Sequence, residues 1–175
     1  MVSKFYWKCI VGVFMFFFVF SMDGSMYRAN GESNLIINPD FEKEVGWEDW
    51  GGFSYTSDFK HIYSGNKSAM INKGEGGAGN AIIDNVTPGQ IYTLSGFGKV
   101  SGQGQEGILG IECLDQEGKK IVGGKFTITF TNDEYLEKTK TFTTVEGTAK
   151  LRVYLYIITV VQDGAAYFDE LSLKK

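Results

Sequence analysis

Apolar and polar residues alternate in short runs from residue 34 to the end of the chain. A period of two is that of a β-strand with one buried side, whereas an amphipathic helix needs apolar residues three and four positions apart. Because the helical spacing is not sustained anywhere in this region, the pattern predicts an all-β domain. The predicted strands are residues 35–37, 53–55, 68–71, 81–83, 91–100, 108–114, 126–130, 139–144, 151–158 and 166–173.

Turn-forming residues stand between these runs. Residues 88–89 (Pro-Gly) and 163–164 (Asp-Gly) each separate two strands, and residues 115–118 are suited to close a hairpin. Thr131 and Glu134 have the spacing of a capping box, which predicts a single helical turn. Many short strands separated by such turns are typical of a β-sandwich of the jelly-roll type.

The first 21 residues predict a secretory signal peptide. Lys4 and Lys8 precede an apolar run over residues 9–20, which is shorter than the roughly 20 apolar residues that span a bilayer. Cleavage after residue 21 would release a polar leader, residues 22–33, followed by a domain over residues 34–175. We therefore expect a secreted, extracellular protein, and an uncleaved membrane anchor is the alternative.

Composition and charge exclude several classes of function. The 175 residues carry a formal net charge of −4, and Arg28 and Arg152 are the only arginines, so the basic stripe that nucleic acid binding requires is absent from the sequence. His61 is the one histidine, which excludes a zinc site built on two histidines. After cleavage Cys113 would be the one cysteine, within an apolar alternation that suggests a buried, unreactive thiol. We expect a monomer without a disulfide.

The longest alternating runs place aromatic and charged residues on one face of a sheet. In the run near the C-terminus, aliphatic side chains take one side, and Arg152, Tyr154 and Tyr156 take the other. If the neighbouring strands belong to the same sheet, Glu112 and Phe97 share this outer face. The sequence therefore predicts an aromatic surface bordered by hydrogen-bonding groups.

Such a surface suits a carbohydrate, because the C–H faces of sugar rings stack on aromatic side chains and sugar hydroxyls pair with carboxylate and guanidinium groups. Trp50, in a glycine-rich loop, is predicted to be a further ligand contact, and Trp47 of the same loop is predicted to pack into the core. The alternative is that Tyr154 and Tyr156 only pair across strands on a solvated surface, since tyrosine favours strands.

Four segments occur in an order that resembles a known family. They are NLIINPDFE at 34–42 followed by Gly46-Trp47, SGNKS at 64–68, PGQIYTLS at 88–95, and AYFDELSL at 166–173. Together they resemble the carbohydrate-binding modules of families four, nine and twenty-two. The resemblance implies a galactose-binding-like β-jelly roll. Two positions depart from the family pattern, because Glu170 replaces a frequent aspartate and Phe97 stands where many members have tryptophan.

The resemblance also implies a structural calcium ion. At the matching positions, Glu42 and Asp169 would supply side-chain ligands, with backbone carbonyls near Asp40 and Lys67 as further ligands. Calcium takes about six to eight oxygen ligands, so two carboxylates from opposite ends of the domain could tie those ends together. The alternative is that both are ordinary turn and edge carboxylates.

These observations predict a secreted, non-catalytic protein that binds a polysaccharide or cell-surface glycan through an aromatic sheet face. The alternatives are a structural or adhesive protein that binds protein partners, and a glycoside hydrolase. Glu106, Glu112 and Asp115 are acids available for a catalytic pair, but nothing in the sequence distinguishes them from turn and surface carboxylates. His61 is expected to be a surface or packing residue rather than a catalytic base.

Overall fold

The computed structural model describes residues 33–72, 76–158 and 164–175. The predicted signal peptide and residues 22–32 of the predicted leader lie outside these ranges. The described residues form ten strands and one short 3₁₀ turn, Phe59–His61, and include no helix that is long and apolar enough to cross a membrane. The strands are β1 Trp47–Asp49, β2 Phe53–Thr56, β3 Ser68–Ile71, β4 Gly77–Asn80, β5 Ile91–Ser101, β6 Glu106–Leu114, β7 Lys120–Phe130, β8 Leu136–Thr143, β9 Lys150–Ile158 and β10 Ala165–Lys174.

The strands form two antiparallel sheets of five strands each. Sheet A has the order β1-β4-β9-β6-β7, and sheet B has the order β2-β3-β10-β5-β8. Consecutive strands can belong to different sheets, as β5 in sheet B and β6 in sheet A do. The predicted all-β sandwich is confirmed.

The core lies between the two sheets and consists of the apolar side of each alternation. Leu151 and Leu155 of β9 are fully buried, and each such side chain contributes about 1.5 to 3 kcal/mol on burial. Phe130 of sheet A meets Phe168 of sheet B edge to face, with ring centroids 6.0 Å apart. Trp47 packs against this core, as predicted.

Residues 35–37 do not form the predicted strand. The side chain of Asn34 serves the backbone instead: its Oδ1 accepts the N–H groups of Ile36 and Leu173 at 3.2 and 3.0 Å, and its Nδ2 donates to the carbonyl of Leu171 at 2.8 Å. The N–H of Leu35 donates to the carbonyl of Leu173 at 2.9 Å, but Ile37 bonds to the side chain of Asn80, so no ladder extends along β10. Ile36 is nevertheless buried, as its apolar side chain predicts.

The alternation does not predict β1 and β4. Their sequences, Trp-Glu-Asp and Gly-Ala-Gly-Asn, lack the β-branched residues that mark strands. They pair with each other, and β4 pairs with β9, so partners supplied by the fold determine their conformation. The predicted strand at 81–83 is reduced to one isolated bridge between Ile83 and Leu151.

The predicted helical turn at 131–134 is also absent. The Nδ2 of Asn132 donates to the carbonyl of Gly98 at 3.0 Å and to that of Glu134, and the carbonyl of Asn132 accepts the N–H of Val100 at 2.8 Å. These hydrogen bonds hold residues 131–134 against β5 as a bend. Because no helix begins here, Thr131 and Glu134 do not form a capping box.

β7 is an edge strand of sheet A, and lysines from β8 cover two of its carbonyls. Lys138 Nζ donates to the carbonyl of Thr129 at 2.6 Å, and Lys140 Nζ donates to that of Thr127 at 3.2 Å. Unpaired edge carbonyls invite pairing with a second chain, and lysines at an edge oppose it. The contacts also connect the two sheets beside the site described next.

Candidate functional site

The outer face of sheet A contains a cleft of about 660 Å³. Outward-facing residues of β6, β7 and β9 line it, together with Trp50 from the segment between β1 and β2. Its size is within the range of small-ligand sites, about 300 to 1,000 Å³. The residues that line the cleft are Trp50, Glu106, Ile108, Glu112, Lys120, Lys125, Thr127, Thr129, Tyr154, Tyr156 and Ile158.

The register of the three strands orders the chemical groups along the cleft. In one row across the sheet, Glu112 of β6 lies between Lys125 of β7 and Arg152 of β9. Because alternate residues face the same side, the next row on this face contains Gly110 and Tyr154. Glu112, Lys125 and Arg152 therefore define a charged end of the cleft, the tyrosines occupy its middle, and Glu106 lies at the other end.

Two glycines allow aromatic rings to lie against the sheet. A Cβ atom at Gly110 would lie 2.2 Å from Cζ of Tyr154, and a Cβ atom at Gly79 would lie 2.1 Å from Cζ2 of Trp50. Both distances are far shorter than the van der Waals contact of about 3.5 to 4 Å between carbon atoms. Neither ring could keep its position over a larger residue.

Two polar atoms in the cleft are buried without a protein partner. Oε1 of Glu112 pairs with Nζ of Lys120 at 2.6 Å, but Oε2 of Glu112 and the hydroxyl of Tyr154 have no hydrogen-bond partner among the described residues. Burial, and to a lesser extent the charge of Glu112, raises the pKa of Tyr154, so its hydroxyl stays protonated and can donate. Buried polar groups are nearly always hydrogen-bonded, so these atoms are available to a hydrogen-bonding partner in the cleft.

Two cations at the charged end lie over aromatic rings. Nζ of Lys125 is 5.5 Å from the ring centroid of Tyr154, and Cζ of Arg152 is 5.6 Å from that of Trp50. Both distances fall within the limit of about 6 Å for cation–π attraction. Tyr154 is only 5% exposed, whereas Trp50 is 40% exposed, so Trp50 offers the more open ring.

The structure brings together five of the six residues predicted as ligand contacts. Trp50, Glu112, Tyr154 and Tyr156 line the cleft, and Arg152 lies beside it, over the Trp50 ring. The side chains of these residues lie on the outer face of sheet A, as the alternation predicts. Whether these residues bind a ligand stays a prediction.

Phe97 does not lie in the cleft, so the prediction that it shares this face is wrong. Its strand, β5, belongs to sheet B, and its ring stacks on Tyr63 with centroids 3.7 Å apart. Alternation correctly separates the inward and outward residues of β5. It does not reveal that the chain crosses to the other sheet between β5 and β6.

The sequence analysis missed the contribution of β7 to the cleft. The cleft is lined by Lys120, Lys125, Thr127 and Thr129, whereas the sequence predicts only a strand at 126–130 without assigning its faces. The sequence does contain a signal for these four residues. The predicted turn at 115–118, which the structure confirms, connects β6 and β7 in a hairpin. Outward residues of a strand paired with β6 share a face with Glu112.

Glu42 and Asp169, from opposite ends of the domain, are both held by the loop at residues 63–67. Oδ2 of Asp169 accepts the first two N–H groups of this loop at 3.1 Å each, and Oε1 of Glu42 accepts the last two at 2.7 and 3.0 Å. These N–H groups lower the pKa of Glu42, whereas burial raises the pKa of Asp169 to about 6. The loop thereby ties the start of the domain to β10.

As arranged, these groups do not fit calcium, because N–H donors rather than oxygen atoms face the carboxylates of Glu42 and Asp169. The described residues contain no group of three or more His, Cys, Asp or Glu side chains placed to hold a metal ion. The other predicted ligands are backbone carbonyls near Asp40 and Lys67; Asp40 lies half-buried in a turn, and Lys67 lies in the loop whose N–H groups bind Glu42. The calcium site stays a prediction from the resemblance.

Solved structures share this fold. One described as a family 16 carbohydrate-binding module has a TM-score of 0.61 and 24% identity, over 81% of this chain and 100% of that chain. TmCBM61, in complex with β-1,4-galactotriose, has a TM-score of 0.57 and 12% identity, over 82% and 99%. The CBM22-1 xylan-binding domain from Paenibacillus barcinonensis has a TM-score of 0.54 and 18% identity, over 77% and 90%. The sandwich is therefore the jelly roll of carbohydrate-binding modules.

A search of curated proteins finds no match to the chain. A family model described as a carbohydrate binding domain matches residues 33–163, which include β1 to β9 and every residue that lines the cleft. The matched segment is most of the chain and contains the described jelly roll except β10. This chain belongs to the family of carbohydrate-binding domains.

Proposed function

We propose that this carbohydrate-binding module is secreted and non-catalytic, and that it binds an extracellular or cell-wall glycan in the cleft of sheet A. The observation that carries the proposal is the pair of unpartnered buried atoms, Oε2 of Glu112 and the hydroxyl of Tyr154, near the half-exposed ring of Trp50. Secretion rests on the predicted signal peptide.

The cleft offers a sugar both kinds of contact that it needs. A sugar hydroxyl can donate to Oε2 of Glu112, and a second can pair with the hydroxyl of Tyr154, which relieves the cost of leaving both atoms unpaired. The C–H face of a sugar can stack on Trp50. The hydroxyls of Thr127 and Thr129 add hydrogen-bonding capacity along the β7 side.

The positions of the acids support a binding role over glycoside hydrolysis. Glu106 and Glu112 are six residues apart on β6, a separation of about 20 Å along a strand, whereas catalytic carboxylates stand about 5 to 9.5 Å apart. Asp115 lies in the hairpin turn, where its Oδ1 accepts the N–H of Lys119 at 2.8 Å. Glu106 and Glu112 therefore lack the spacing of a hydrolase pair, and Asp115 is engaged in the turn.

Trp50→Ala tests the location of the site. Stacking on an aromatic ring contributes about 1 to 3 kcal/mol in nucleic acid complexes, and we expect a comparable loss of glycan affinity. A glycan array selects the ligand, and calorimetry measures the affinity. Phe97→Ala is the control, because it removes an aromatic ring from the outer face of sheet B, and it should leave the affinity unchanged.

Two results would contradict the proposal. Full affinity in Trp50→Ala together with a loss in Phe97→Ala would move the site to sheet B. Continued release of new reducing ends from a bound β-glucan or xylan, abolished in Glu112→Gln, would show that the protein is an enzyme.

We further propose, on the resemblance alone, that calcium binds at Glu42 and Asp169, which requires both carboxylates to turn away from the N–H groups of loop 63–67 because their present arrangement does not fit the ion. A ligand that binds only the folded state stabilises it by mass action, so millimolar calcium should raise the melting temperature over that in EDTA. Asp169→Ala should lose this response. An unchanged melting temperature in the wild-type protein would mean that the N–H groups of loop 63–67 hold both carboxylates without a metal.

A further inference from the structure

We propose that the cleft prefers an acidic glycan, in which a sugar at the charged end carries a carboxylate. This inference rests on the proposed function and names the ligand class of the same site. It derives from Lys125 and Arg152, which flank Glu112 in one row across sheet A.

These two cations are not neutralised by the protein. Neither Lys125 nor Arg152 has a carboxylate within 4.0 Å among the described residues. Their partners are instead the ring faces of Tyr154 and Trp50, at 5.5 and 5.6 Å. A ring face attracts a cation but carries no net charge, so both positive charges remain available to an anion.

The charged end of the cleft has an excess of positive charge. Its one lining carboxylate, Glu112, is already paired with Lys120 at 2.6 Å, which leaves Lys125 in excess. Arg152 lies beside the cleft in a second pocket that Glu48 also lines, but no carboxylate of the described residues, Glu48 included, comes within 4.0 Å of it. The other lining acid, Glu106, is about 20 Å away along β6. Because the whole chain carries a net charge of −4, this local excess does not reflect a basic protein surface.

The same cations interfere with a purely neutral ligand. Lys125 lies over the ring of Tyr154, which is left 5% exposed, so a neutral sugar must displace an ammonium group to stack there. A carboxylate gains from the ammonium group where it lies. The planar guanidinium of Arg152 can also hold a carboxylate through two parallel hydrogen bonds. A uronic acid residue supplies the carboxylate that either side chain can bind.

The test compares each acidic polysaccharide with its own carboxyl-reduced form, which has the same backbone without the charge. We use polygalacturonate and glucuronoxylan, and measure affinity by calorimetry at low and high salt. The acidic form of at least one polymer should bind about tenfold more tightly at low salt, and the preference should fall as salt screens it. Lys125→Gln and Arg152→Gln should each reduce the preference, and the double variant should abolish it.

Lys174→Gln is the matched control, because it removes an exposed positive charge from sheet B and should leave the preference intact. If neutral glycans bind but no acidic polymer binds more tightly than its reduced form, this inference is overturned and the proposed function stands. If neither acidic, reduced nor neutral glycans bind, both are overturned. A preference that survives in the folded double variant would also contradict the inference.

Discussion

Replacement of Asp169 by alanine is expected to lower the free energy of unfolding by about 3 kcal/mol at pH 5. The carboxyl group of Asp169 is fully buried, and its oxygens accept three backbone N–H groups, those of Tyr63 and Ser64 at 3.1 Å and that of Glu170 at 2.9 Å. Because burial raises its pKa to about 6, it is mostly protonated at pH 5. Alanine removes the acceptor that these three N–H groups share and leaves the Ser64–Glu170 side-chain contact between loop 63–67 and β10. Urea unfolding in buffer with EDTA measures the loss without a contribution from calcium.

The same variant should show a smaller loss at neutral pH. Burial raises the pKa of Asp169 to about 6 in the folded protein, above the value of about 3.9 for an unfolded chain. The stabilising contribution of this group is therefore complete below about pH 4 and is lost as the pH rises through 6, so the difference between wild type and Asp169→Ala should shrink by about 1 kcal/mol from pH 5 to 7.

Asp133→Ala provides the control for both measurements, because it removes an exposed carboxylate from the segment before β8. Its effect should stay within about 0.5 kcal/mol. An equal loss in the two variants would contradict the proposed role of Asp169. A difference that does not change between pH 5 and 7 would show that burial does not raise the pKa of this carboxyl.

Gly110→Ala is expected to lower glycan affinity about a hundredfold, which corresponds to about 2.8 kcal/mol. The new Cβ would lie 2.2 Å from Cζ of Tyr154, so the ring must leave its place against β6 and move Lys125 with it. Forced overpacking should also reduce the free energy of unfolding by about 1 to 3 kcal/mol. Calorimetry and urea unfolding measure the two effects.

A second variant identifies the cause of this instability. In a Tyr154→Ala background the ring is absent, so Gly110→Ala should cost much less stability there than in the wild-type protein. The same cost in both backgrounds would show that the clash with Tyr154 is not the cause. Wild-type affinity in Gly110→Ala would show that the position of this ring is unimportant for binding.

Period-two alternation predicts the long strands well. The alternation correctly locates four long strands: β5, β6, β9 and β10. Each of these strands has one side that must be buried in the core and another side that can face solvent, and this difference produces the alternation. The short elements fail for specific reasons. Glycine-rich β4 has no alternation. In residues 35–37, Ile36 and Ile37 bond to the side chains of Asn34 and Asn80 rather than to a strand backbone.

The sequence predicts which residues of one strand share a face. It predicts less well which strands contribute residues to the same site. Arg152, Tyr154 and Tyr156 follow from one alternation, and Glu112 follows from another. Lys125 could have been found from the hairpin turn that pairs β7 with β6. The error with Phe97 arises because its alternation is correct but its strand belongs to sheet B.

The sequence by itself determined the all-β class, the inward and outward residues of the long strands, and the resemblance to carbohydrate-binding modules, because these depend on local periodicity and on short motifs. Only the tertiary structure decided which outward faces share a sheet, that Gly79 and Gly110 lie under aromatic rings, and that Glu112 and Tyr154 keep buried atoms without protein partners. These properties depend on which strands become neighbours. A period along one strand contains no information about the strand beside it.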